Sequence, residues 1–331
     1  TNFEGNWFGE MTPPDNTLAI SNGGYIVTVV NQNIEYYNTS GALLYTSSFD
    51  DFFNEPSFTS ILYDPVVLYD SGSDRFFMVV LACFSQTNNP LDGWYVYYLS
   101  GNPLNDLSWC DRPEIGVSTN EVYITGNLFG NSGSFKQALI YQLDKYDGYN
   151  GNPLDWRYWH NISNEPFNIV PASYGQQGNY GPGIFLISTD EDFVYTDKYR
   201  LFDLTDDMSG NPQLNVYSID ADFSLAGNAL QLGTPILLHN GDNRGLSAFY
   251  LNGILHFVFH SEYINAYNGI NYNRLTVSTL TNWNSIFGVE GYDYSYPSLA
   301  SFGTNINDKS VMVCVLRSSS TIYPEIRVIN C

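Results

Sequence analysis

One pattern constrains this chain more than any other. A short strand signal, a turn and a longer apolar strand signal recur six times from end to end. The copies open at Pro14-Asp15, Asp64-Pro65, Asp111-Arg112-Pro113, Val170-Pro171, Asp242-Asn243-Arg244 and Tyr296-Pro297. Their longer strands follow at 25–30, 75–81, 121–125, 183–188, 254–260 and 309–316. These runs are rich in Val, Ile, Tyr and Phe and are bounded by Gly, Asn and Asp, which is strand composition. No long stretch carries the 3.6-residue apolar spacing of a helix. Asn-Gly pairs at 22–23, 240–241, 252–253 and 268–269 supply residues that accept positive φ, and read as tight turns.

Units of about 50 to 70 residues, each with room for four strands, predict an all-β chain folded as a single β-propeller over 1–331. Six four-stranded blades are expected. Seven is the alternative, because 225–241 has room for further strands, and a two-domain sandwich is the other. The last copy has room for three strands only. The unassigned 2–10, with Phe3, Trp7 and Phe8, is expected to supply the missing strand and close the ring. Gly-Asn-Pro at 101–103, 151–153 and 210–212 starts turns and cannot continue a ladder, so each is read as the hairpin between third and fourth strands.

Composition narrows the function classes. With 12 Lys+Arg against 34 Asp+Glu the net charge is −22, which excludes a general nucleic-acid binder because phosphate neutralisation needs cations. Aromatics at 16% exclude a disordered chain. No run of about 18 apolar residues is present to span a membrane. An acidic, Tyr- and Asn-rich, Lys-poor surface is that of an extracellular or cell-surface protein. The chain starts at Thr1, as after removal of a signal peptide or at a chosen boundary. Cys83, Cys110, Cys314 and Cys331 allow one or two disulfides. They contain no Cys-x-x-Cys, and Cys83 and Cys314 lie in apolar runs where a buried free thiol is the competing reading.

Two stretches carry a resemblance. Ser85-Gln86-Thr87-Asn88-Asn89-Pro90 with Trp94 and Tyr97 is followed by Asp111-Arg112-Pro113-Glu114-Ile115-Gly116-Val117 and Tyr123-Ile124-Thr125-Gly126-Asn127-Leu128-Phe129. Together with Tyr250-Leu251-Asn252-Gly253 and Tyr296-Pro297-Ser298, this resembles a Bacteroidetes-type family of bacterial extracellular β-propellers found in cell-surface proteins. Asn89-Pro90 stands where that family's turn has Asp-Pro. The resemblance implies the fold and a secreted or surface location, and no settled activity.

A search for chemistry narrows the candidates. No Gly-x-Ser-x-Gly elbow and no phosphate-cradling Gly-Lys-Ser/Thr loop occur. One degenerate copy of a sialidase turn, at 188–195, is close to chance. His256 and His260 lie four residues apart on a strand, about 13 Å, too far to share an ion. Calcium is the one cofactor the acidic, Asn-rich loops suggest, with Asp144, Asp147, Asn150 and Asn152 the candidate ligands. A plain hairpin is the competing reading. Trp94, Trp109, Trp156 and Trp159 are placed on third or fourth strands, as sugar-stacking or as packing between blades. A ligand site is expected where the residues just before the first strands converge at a channel mouth: Asp64, Asp111, Arg112, Asp242 and Arg244. Arg there suits a carboxylate or sulfate. The competing reading has each Asp hold its turn and pair with the Arg beside it.

The expected function is a non-enzymatic binding or adhesion module presenting a propeller face to a glycan or protein partner. The alternatives are a structural subunit of a larger surface assembly, and a polysaccharide-acting hydrolase or lyase with its site at the channel mouth. Fold does not choose among them.

Overall fold

The computed structural model describes residues 3–6, 13–54, 62–163, 166–174, 181–189, 198–240, 242–301 and 311–330. Contacts within the chain gather into two units, Thr1–Ile115 with Asn120–Trp159, and Gly116–Thr119 with His160–Cys331. The chain is a six-bladed β-propeller and nearly all β.

The first unit holds three four-stranded antiparallel blades. They are β1 to β4 (Thr17–Ile20, Tyr25–Val30, Asn33–Asn38, Leu43–Ser48), β5 to β8 (Val66–Asp70, Arg75–Val79, Ala82–Ser85, Trp94–Tyr97) and β9 to β12 (Ser108–Val117, Glu121–Gly130, Phe135–Asp144, Trp156–Trp159). Second strands are buried on both faces, which is why they read as apolar runs and not as alternation. In β6, Phe76, Phe77 and Met78 are wholly enclosed. Val27, Val29, Ile34, Phe76 and Met78 form one core with Cys83, each large side chain worth about 1.5–3 kcal/mol over exposure. Two short helices interrupt the pattern. α1 (Phe49–Phe53) is capped by Ser48 and stopped by Asn54 at φ 44. α2 (Lys145–Asn150) is capped by Asp144 and stopped by Gly151 at φ 70.

The second unit holds the other three blades. β13 (Val170–Pro171), β15 (Ile184–Thr189), β16 (Lys198–Leu204) and β17 (Leu214–Asp220) form one. β18 to β21 (Gly245–Leu251, Ile254–Glu262, Asn268–Thr276, Thr281–Phe287) form the next, with the two-residue β14 (Ser173–Tyr174) added parallel to β18. β22 to β24 (Asp293–Ser301, Val311–Ser319, Ile322–Asn330) form a three-stranded sheet. The expected fourth strand falls on 2–10, of which 2 and 7–10 lie outside the described residues. Phe3 packs its ring 5.5 Å from Tyr37. Within 225–241 the described residues make only the isolated bridge Ala229–Leu238, so no seventh blade forms there.

Several local expectations change. Asn252-Gly253 turns as expected, at φ 52 and 83, joining β18 to β19. Asn268-Gly269 does not turn: it lies inside β20. The Asn268 side chain donates to Asp293 Oδ1 at 3.0 Å and accepts the Gly227 N–H at 2.8 Å. A Cβ on Gly269 would stand 2.7 Å from the Phe287 carbonyl, so this glycine serves strand approach. Gly101-Asn102-Pro103 connects two blades, because Asn89-Pro90 and its 3-10 turn (Pro90–Asp92) already make the hairpin between β7 and β8. The other two Gly-Asn-Pro turns lie between third and fourth strands. Cys83, Cys110 and Cys314 are free thiols, and Cys331 lies outside the described residues.

Candidate functional site

In the first unit, each blade has a residue in the left-handed region at its first strand: Asp15 at φ 45 before β1, Asp64 at φ 53 before β5, and Arg112 at φ 51 inside β9, which begins at Ser108 and so takes in Asp111 and Arg112, expected just ahead of it. Such a backbone costs about 1–3 kcal/mol for a non-glycine residue, least for Asp and Asn. It persists because the turns are tied together. Asn31, just past the end of β2 and 5% exposed, donates through Nδ2 to Asp15 Oδ2 at 2.6 Å and to the Pro13 carbonyl at 2.9 Å. Its Oδ1 accepts the backbone N–H of Asp64 at 2.8 Å. Asp64 Oδ2 in turn accepts the backbone N–H of Arg112 at 3.0 Å. One hydrogen-bonded line thus joins the left-handed residues of three blades.

Three carboxyl groups meet on this line. The Asp64 side chain interacts with those of both Asp15 and Asp111. Burial is the first cause holding Asp64 above the ordinary carboxylate range, and Asp111 adds to it against the Arg112 N–H. Asp15 is raised by burial and by the charge of Asp64, against the Asn31 bond. Nearby Glu114 is raised by burial against the charge of Arg112. Asp15 and Asp64 are thus both held toward the protonated form by burial and by a neighbouring carboxyl.

Beside the carboxyls lies an aromatic wall. Tyr63 sits edge-on to Trp109 with ring centres 6.3 Å apart, and Trp109 stacks on Phe129 at 5.3 Å. Burial, then Asp111 and Asp64, push the Tyr63 phenol up to about 12, so it remains a donor at neutral pH. Trp109 is on the first strand β9, not on a third or fourth strand as expected. The other three tryptophans lie on β8 and β12 as expected. A cavity of about 420 Å³ opens along this wall between the segments 62–64, 79–82, 99–102 and 108–110. Cys110 lines it as a protonated thiol, pushed up to about 12 first by burial. A Cβ on Gly126 would stand 2.4 Å from the Cys110 sulfur, so that position admits only glycine without a shift.

Of the expected site residues, Asp64, Asp111 and Arg112 are brought together in the first unit. In the second unit Asp242 pairs with Arg244, whose Nε donates to Asp242 Oδ2 at 2.5 Å and whose guanidinium lies 5.2 Å from the Phe167 ring centre. That is the competing reading of the same residues. Asp15, Asn31, Tyr63 and Glu114 were not among those expected. The signal for Asp15 is its place in the repeat, since Pro14-Asp15 occupies in the first copy the position of Asp64 in the second.

The candidate calcium ligands have other partners. Asp144 Oδ1 accepts the N–H groups of Tyr146 and Asp147 as the α2 cap. Asp147 accepts from Asn152 Nδ2 at 3.4 Å and from the Asp155 N–H at 3.3 Å. Among the described residues no group of three His, Cys, Asp or Glu is placed to hold a metal ion. His256 Nδ1 meets the Tyr272 hydroxyl at 2.7 Å, and His260 Nε2 accepts the Tyr296 N–H at 2.7 Å, both inside the core. No helix of the described residues is long and apolar enough to cross a membrane.

Comparison with known protein families finds no match, and comparison with curated proteins finds none. Solved structures do match. An endo-arabinase from Bacteroides thetaiotaomicron is 11% identical, over 81% of this chain and 93% of its own, with a TM-score of 0.43. A GH43 endo-arabinanase from Bacillus licheniformis is 13% identical, over 96% and 92%, with a TM-score of 0.40. An α-L-arabinofuranosidase from Lactobacillus brevis is 8% identical, over 96% and 89%, with a TM-score of 0.39. At these values the likeness is one of fold. These neighbours are glycoside hydrolases, a finding that stands against the expectation of a non-enzymatic binding module.

Proposed function

We propose that this chain hydrolyses glycosidic bonds in a polysaccharide, with Asp15, Asp64 and Asp111 as its acid–base groups. The observation that carries the reading is the run of these three interacting carboxyls with Asp15 and Asp64 held above their ordinary range. Glycoside hydrolysis needs one carboxyl that keeps its proton, to protonate the leaving oxygen, and one that is ionised, to activate water or attack. A coupled cluster supplies both states at one pH. Carboxyls in such direct interaction stand closer than the roughly 5 Å or 6.5–9.5 Å that acid and base partners need to span the bond. Asp64 therefore acts as the proton-holding link, and the pair that spans the bond is Asp15 with Asp111. Tyr63 and Trp109 offer a stacking wall for a sugar ring. An extracellular site of action goes with a polymeric substrate and with the acidic surface.

The test is reducing-end release from a panel of polysaccharides that includes arabinan, for which the fold neighbours are named. Release that disappears in Asp64→Asn supports the reading. Release of unsaturated products would make the enzyme a lyase, and no product from any glycan overturns it.

A further inference from the structure

We infer that the cavity beside the carboxyl cluster takes an apolar aryl group carried by the substrate, so that the natural substrate is an aryl-substituted glycan and not a bare one. The inference rests on the proposed hydrolase reading for the glycan part and on the cavity itself for the aryl part. At about 420 Å³ the cavity has the size of a small-molecule site. Its lining is wrong for a bare sugar, which presents a hydroxyl on nearly every carbon and loses affinity wherever a hydroxyl is desolvated without a partner. Leu62, Val79, Leu81, Leu99 and Ile124 face it with Ala82. Of the polar groups on the wall, the Tyr141 hydroxyl is already given to the Ser100 carbonyl at 2.7 Å, the Ser108 hydroxyl is given to Asp106 and to Asn102 Oδ1, and Cys110 is a buried protonated thiol.

Asp64 lines the cavity and belongs to the carboxyl run, and the Tyr63 phenol beside it keeps its proton at neutral pH. Ser100 and Asn102 add polar groups to a wall that is otherwise mostly apolar and carries Trp109. The cavity therefore joins the carboxyl run at Asp64 to a mostly apolar wall. A planar aryl ring stacks on Trp109 with offset or edge geometry. Its ester or ether oxygen would lie near Tyr63, whose hydroxyl makes only a long 3.4 Å bond to the Cys110 carbonyl and can turn to it. A purely aliphatic chain would gain the burial but not the stacking.

The experiment uses methyl cinnamate, a neutral aryl ester with no glycosidic bond, and follows binding by calorimetry and by Trp fluorescence. The parent protein should bind it, and Trp109→Phe should lose the fluorescence change while retaining most of the affinity. Leu99→Trp, which fills the cavity from a partly exposed position, should weaken binding by about tenfold or more, while Leu99→Ala should retain it. Near-UV circular dichroism reports whether each variant folds. No binding by the parent, or equal binding by a folded Leu99→Trp, overturns the inference. Because the probe cannot be hydrolysed as a glycoside, the two readings fail separately. Probe binding without any glycan cleavage sinks the hydrolase reading and leaves the aryl site. Cleavage of plain glycans without probe binding does the reverse.

Discussion

Asp64 and Arg112 stand at the first strands of neighbouring blades, and the carboxylate of one accepts the backbone N–H of the other at 3.0 Å. That bond gives Asp64 two duties. It fixes the left-handed turn at Arg112, and it offers the remaining carboxyl capacity to Asp15 and Asp111. An amide keeps the first duty and loses the second. Asp64→Asn should therefore fold with the turn intact and lose about 10²- to 10⁴-fold in glycan hydrolysis. Stability should move the other way. A carboxyl whose folded pKa is raised contributes stability below its unfolded value and loses it as pH rises through the folded one. The variant should gain in unfolding midpoint over the parent at about pH 8, with the gain shrinking toward about pH 3.5. Denaturant titrations at the two pH values check this, and a loss of stability at the higher pH would contradict the assignment of Asp64 as a raised carboxyl.

Asn31 acts through its neighbours. Its bond to Asp15 favours the ionised carboxylate and lowers that group's pKa against the effect of burial. Asn31→Ala should raise the pKa of Asp15 further and move the acidic limb of the pH–rate profile upward. The same change also leaves the Asp64 N–H without its 2.8 Å partner, costing about 1–3 kcal/mol. A profile that keeps its limbs while only the rate falls would make Asn31 purely structural.

Much of this was legible in the sequence for one physical reason: a blade repeats its chemistry. Strand runs, the Asn252-Gly253 turn and the acidic residues that open four of the six copies follow from local rules, and six blades came from counting the copies. The carboxyl run was only half legible. Asp64 and Asp111 stand out beside Pro65 and Arg112, while Asp15 gains its role through Asn31, a contact across 16 positions that no local pattern announces. Asn268-Gly269 misleads for the same reason, since the buried Asp293 25 positions away recruits that amide into a strand. Asp144 and Asp147 have the residue types of a calcium loop, and local pattern does not announce that Asp144 caps α2 or that Asp147 accepts from Asn152.

Lys145 and Asp70 form a buried ion pair at 2.9 Å with side chains 2% and 0% exposed. The Asp70 carboxylate also holds the turn after β5 by accepting the Gly72 and Ser73 N–H groups. Removing one charge leaves the other enclosed and unpaired. Lys145→Met should cost about 3–5 kcal/mol, while Lys145→Met with Asp70→Asn should recover most of it. Equal losses in the single and double variants, read from denaturant midpoints, would show that the pair is not the source of the effect.

His256 provides a pH test in the second unit, away from the carboxyl cluster's chemistry. It is 4% exposed, lies flat on Phe249 with ring centres 4.6 Å apart, and meets the Tyr272 hydroxyl through Nδ1 at 2.7 Å. Burial, with a smaller contribution from the charge of Arg274, pulls its pKa down to about 4 from an ordinary 6.5. The folded protein thus holds a neutral imidazole where the unfolded chain holds a proton. A depressed pKa contributes stability above the unfolded value and loses it as pH falls from about 6.5 to about 4, by roughly 3 kcal/mol over that window. His256→Phe keeps the ring against Phe249 and removes the titration, at the cost of the bond to Tyr272, about 1 kcal/mol at every pH. The variant should be less stable than the parent at about pH 7 and should match or exceed it by about pH 4. Parallel stability curves for the two proteins across that window would show that His256 is not the group whose protonation weakens the fold.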